Sequence, residues 1–60
     1  METLQKIKEL VEKLSIDSTK VFEKNNRSAS VRARRYAQQI REIMPKFRKE
    51  ILNEMKKNVN

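Results

Sequence analysis

Between its first residue and Pro45 the chain offers one strong turn signal, Asn25-Asn26, and it contains no glycine anywhere in its 60 residues. Asparagine tolerates the left-handed backbone that ends many helices, so it can turn the chain where no glycine is present. The body on either side is rich in Lys, Arg, Glu, Leu, Ile, Met and Ala, which are good helix formers apart from isoleucine. The expectation is an all-α fold, an antiparallel helical hairpin: helix over residues 3–24, turn over 25–28, longer helix over 29–57. A connection this short makes the two helices neighbours running in opposite directions. Asn26, Ser28 or Ser30 can cap the second helix and Thr3 the first, each through a side-chain oxygen that accepts from free N–H groups.

Apolar residues recur with helical period in both segments. In the first, Leu4, Ile7, Val11, Leu14 and Val21 follow a 3-4 spacing, with Ser18 in the gap and Leu10 and Phe22 widening the stripe. In the second, Ala33, Ala37, Ile40, Met44, Phe47 and Ile51 keep a heptad seam flanked by Tyr36, Ile43, Leu52 and Met55. Such stripes are faces turned to a partner helix. Ser15 to Thr19 is a run of weak helix formers that still reads as helix. Pro45 lacks the N–H that would bond the carbonyl of Arg41; because the seam continues in phase through it, a kinked helix is expected rather than two. The tail from Lys56 to Asn60 is expected to fray.

Sixty residues make a single domain, and a chain this short buries only about 60% of its unfolded surface. With no cysteine, no disulfide can compensate. Self-association is the usual remedy, so a homodimer is expected, two hairpins forming a four-helix bundle.

The charge is segregated. Before Arg27, five lysines balance five carboxylates; from Arg27 onward, six arginines and four lysines face three glutamates, so the net charge of +7 belongs to the second half. Every arginine lies at or after Arg27. Arginine presents a planar fork of donors suited to phosphate. Arg34, Arg41 and Arg48 form a stripe beside the seam, and Arg27, Arg35 and Lys49 lie on the polar arc beyond it. Arg32, Arg34 and Arg35 fall in the first turns of the helix, where the dipole also favours anions. We expect Arg27, Arg32, Arg34, Arg35, Arg41, Lys46, Arg48 and Lys49 to contact the backbone of double-stranded DNA.

Other chemistry has little to work with. Histidine is absent along with cysteine, which removes the commonest general base and the usual zinc ligands. No glycine-rich phosphate loop is possible. Glu9/Glu12 and Glu50/Glu54 share faces but are flanked by lysine, as in a solvated ion-pair surface. An enzyme is therefore not expected, nor a cofactor, metal or small-molecule substrate. The longest apolar runs are two residues, too short for a membrane span; a cytoplasmic location is the expectation.

The run Asn25-Asn26-Arg27-Ser28-Ala29-Ser30-Val31-Arg32-Ala33-Arg34-Arg35 resembles the core of the bacterial linker-histone-like family known from the chlamydial nucleoid. That core reads Gly-Asn-Lys-x-Ala-Gly-x-Arg-Ala-Arg-Lys. Asn26, Ala29, Arg32, Ala33 and Arg34 match it directly, Arg27 and Arg35 stand for its lysines, and Asn25 and Ser30 replace its glycines. Phe47-Arg48-Lys49 matches the family's later Phe-Arg-Lys, and Phe22 to Ile51 is the best-matched stretch. The resemblance implies a helical, double-stranded DNA-binding protein that compacts the nucleoid. The family's long Lys/Ala-rich tail, present in some members, is missing.

The expected function is histone-like, non-sequence-specific DNA binding with compaction or bridging of duplexes. The alternatives are a helical interaction module for an acidic protein, an amphipathic peptide on an anionic membrane surface, and RNA binding by the same basic face.

Overall fold

The computed structural model describes residues 2–58. It is an all-helical hairpin of α1 (Glu2–Lys24) and α2 (Arg27–Asn58), a rod 52 × 15 × 15 Å. The helices are antiparallel, as side-chain bonds across them show. Thr3 reaches Glu50 near the open end, and Asp17 reaches Arg32 nearer the turn.

The turn is tighter than expected. Only Asn25 and Asn26 lie outside the helices. Asn25 has φ 51°, the left-handed conformation that its side chain tolerates. Its N–H donates to the Val21 carbonyl at 3.0 Å, and the Asn26 N–H donates to the Lys20 carbonyl at 3.3 Å, so carbonyls left open at the end of α1 are filled. Asn26 then starts α2. Its Oδ1 accepts from the Ala29 N–H at 3.0 Å, and its carbonyl accepts from the Ser30 N–H at 3.1 Å. Because Asn26 takes the cap, Arg27 and Ser28, expected in the turn, are already helical.

The buried seam differs in register from the one expected. On α1 the inward positions are Thr3, Ile7, Leu10, Leu14, Asp17 and Val21. On α2 they are Ala29, Ala33, Tyr36, Ile40, Ile43, Phe47 and Glu50. Both sets alternate steps of three and four, the pattern of paired helices. Leu4, Val11 and Ile51, expected in the seam, are 37%, 48% and 45% exposed, and Ala37 is exposed as well. The contact is turned by roughly one residue on α1, and it admits three polar side chains because they find partners across the interface. Thr3 is buried inside α1, and its hydroxyl donates to Glu50 Oε2 at 2.7 Å instead of capping the helix.

α2 runs through Pro45 without interruption. Pro45 lies on the exposed side, so the Arg41 carbonyl that loses its donor is on the side open to water. The weak stretch of α1 is also helical, with the Thr19 hydroxyl donating to the Ser15 carbonyl at 2.9 Å, a local bond that the helix accommodates. Lys56 and Lys57 sit in the last turn of α2, where they complement the dipole. Residues 59–60, part of the tail expected to fray, lie outside the described residues.

Candidate nucleic-acid interface

A long α-helix fixes its outward side chains at 100° intervals, and α2 is long because nothing between Asn26 and Asn58 stops it. All eight residues expected to meet DNA sit on this helix, and all eight are exposed. From Arg27 to Lys49 they cover about 33 Å at 1.5 Å per residue.

They do not form one row. Given the observed seam, Arg34, Arg41 and Arg48 lie on one flank of α2, seven residues apart, beside Ala37, Met44 and Ile51. Arg34 borders a groove between the helices that is also lined by Ser18, Val21, Phe22, Ser30 and Ala33. Arg48 stands next to Ile51 and Leu52. Arg35 and Lys46 fall on the opposite flank, with Lys49 beyond them and Arg27 on the outer edge. Arg34 and Arg35 meet across the outer face of α2 in a shallow depression with Val31 and Gln38. Gln38 donates to Glu42 at 3.1 Å, placing one carboxylate among these cations.

Arg32 is different. Its Nε donates to Asp17 Oδ2 and its Nη2 to Asp17 Oδ1, both at 3.1 Å. Asp17 is only 5% exposed. The hydrogen bonds from Arg32 hold the Asp17 carboxyl below its usual range, against the desolvation that would raise it, with the charges of Arg32 and Lys20 adding to the effect. The same bonds raise Arg32. Two donors of its guanidinium are thus committed to holding the helices together, although the side chain remains 44% exposed. Arg32 keeps part of its donor set toward solvent but is anchored by the hairpin itself.

One group of residues was missed in the sequence. Lys6, Lys13 and Lys20 repeat every seven residues and fall together on the flank of α1 that lies beside Arg35 and Lys46, away from the groove. Their count is cancelled by the acids of α1, which is why the first half looks neutral. The signal that finds them is the heptad spacing relative to the true seam, where Glu12 and Glu23 point outward and the three lysines point to one side. Among the described residues no acidic, histidine or cysteine group of three or more could hold a metal ion, and no helix is long and apolar enough to cross a membrane.

In comparison with known proteins, the family model described as Histone H1-like protein Hc1 matches residues 1–57. No curated protein matches the chain, and no solved structure does.

Proposed function

The chain belongs to the histone H1-like Hc1 family, a histone-like DNA-binding family and not one of enzymes, and from that premise we propose that it binds the backbone of double-stranded DNA with little sequence preference. It acts as a homodimer in the cytoplasmic nucleoid, where it compacts or bridges duplexes. The observation that carries this reading is the row of exposed cations on one uninterrupted helix. Arg34, Arg35, Arg41 and Arg48, with Arg27, Lys46 and Lys49, can meet successive phosphates because a rigid rod keeps their spacing fixed. Phosphate contacts of this kind position a protein on the duplex and carry no sequence information. Only three aromatic residues are present, too few for a base-stacking platform. Lys6, Lys13 and Lys20 extend the basic flank onto α1.

The test is fluorescence anisotropy with two unrelated 30-base-pair duplexes (a length of about three helical turns) over a range of salt. Similar affinities are expected, with log K falling against log salt at a slope of about −4 to −5 for about five phosphates neutralised. Arg34→Glu with Arg35→Glu weakens binding to both duplexes equally and leaves helicity unchanged. Unaltered affinity in that double variant, or failure of the wild-type chain to bind at low salt, would overturn the reading.

A further inference from the structure

The hairpin has two unlike flanks. One carries Leu4, Val11 and Phe22 of α1 beside Ala37, Met44 and Ile51 of α2; the other carries Lys6, Lys13 and Lys20 beside Arg35 and Lys46. Ser18, Val21 and Phe22 share a groove with Ser30, Ala33 and Ala37, which fixes the apolar flanks of both helices on the same side of the rod.

We infer that the apolar flank is the seat of a second copy of this chain, paired about a two-fold axis along the rod so that each α1 covers the partner's α2. This inference names the interface of the dimer in the proposed function and rests on that reading for its consequence on DNA.

Three observations favour a second copy. The first is area. Leu4, Val11, Phe22, Ile51 and Met55 leave between 37% and 88% of their surface exposed. At roughly 150–250 Å² for a large side chain, the patch is on the order of 500 Å². A two-fold pairing therefore removes on the order of 1,000 Å², the size at which specific interfaces begin. The second is the thinness of the core. Among the described residues only Ile7, Leu10 and Ala29 are buried hydrophobics, and no large side chain is fully enclosed. A single hairpin covers too little apolar surface to be stable alone.

The third is shape and charge. Phe22 is 88% exposed near the turn, and the part of α2 near the turn is lined by Ser30, Ala33 and Ala37. With both turns at the same end, the phenyl ring of one copy lies over the small residues of the other. The same arrangement sets the neutral α1 against the basic α2 and keeps the two basic helices diagonally apart; direct apposition of the α2 helices would bring like charges together. A dimer of this form turns its two lysine-bearing flanks outward in opposite directions. It can therefore hold two duplexes at once, so bridging follows from the pairing.

The experiment uses the full chain without DNA, then with it. Sedimentation equilibrium is expected to give a dimer at micromolar concentration. Because the chain has no cysteine, Ala37→Cys and Gln39→Cys can each be alkylated as reporters of the apolar and basic flanks. The thiol introduced at position 37 is expected to react several-fold more slowly than that at 39, with the difference vanishing on dilution to monomer. A monomer at every concentration, or equal reactivity in the dimer, would overturn the interface. An immobilised duplex is then expected to capture a second, labelled duplex through the wild-type chain. Phe22→Glu loses that capture and keeps single-duplex anisotropy. If this variant loses helicity, the alkylation comparison decides. A dimer with a protected flank that binds no duplex would leave the interface standing and overturn the DNA reading. A dimer that binds DNA but captures no second duplex would overturn the bridging geometry.

Discussion

Arg32 closes on Asp17 across the hairpin with two parallel hydrogen bonds of 3.1 Å, and this pair occupies a position in the seam where a helix pair would ordinarily place an apolar side chain. Fork-to-carboxylate geometry is selective for arginine, and it fixes the rotation and register of α2 against α1. The pair is accordingly a device of specificity more than of stability. Removing one member strands the other, whereas replacing both with apolar residues relieves desolvation. Asp17→Ala should lower the melting temperature, and Asp17→Leu with Arg32→Leu should restore or exceed it. Thermal unfolding of the single and double variants by circular dichroism checks this.

The same pair gives a signed dependence on pH. The folded Asp17 carboxyl lies below its ordinary value of about 3.9, held there first by the hydrogen bonds from Arg32 and then by the charges of Arg32 and Lys20. Its contribution is therefore fully present above the ordinary value and is lost as pH falls through the lowered folded value. Wild-type stability should drop on acidification below about pH 4, and Asp17→Asn should flatten that part of the curve. Denaturant titrations at a series of acidic pH values measure it.

The two-residue turn makes separable demands. Asn25 must hold φ 51°, so a β-branched residue there is strained: Asn25→Val should cost about 1–2 kcal/mol, while Asn25→Gly should be neutral or better. Asn26 caps through Oδ1, so Asn26→Ala should cost about 1 kcal/mol. Urea melts of the three variants distinguish the roles.

Pro45 sits in the interior of a continuous helix and on its exposed side. Pro45→Ala restores a donor to the Arg41 carbonyl without touching the seam, and should stabilise the chain by up to about 3 kcal/mol. Comparison of melting temperatures at matched protein concentration checks this, since dimerisation makes them concentration-dependent.

The hairpin, its turn and its direction were legible in the sequence because they depend on local chemistry: the helix formers, the asparagine pair and the absence of glycine. The seam was legible only in part. Leu4, Val11 and Ala37 belong to apolar stripes, and a reading of one helix at a time places them inward. Thr3, Asp17 and Glu50 occupy the true inward positions because each has its partner on the other helix, in pairs separated by 47 and 15 residues. No periodicity within one helix reports a bond of that kind. The arginines of α2 were readable as exposed because excess charge has nowhere to be buried, but the division of the cations between two flanks was not, since it depends on where the seam lies. Lys6, Lys13 and Lys20 were hidden for the same reason.

The length of the rod sets a charge stoichiometry. A duplex alongside a hairpin 52 Å long presents about thirty phosphates, against which one chain brings +7. A filament lined on one side by hairpins end to end therefore keeps most of its negative charge and stays soluble as a polyanion. Compaction by this protein must come from linking segments of DNA to each other, and it should set in at a density of protein on the duplex far below neutrality.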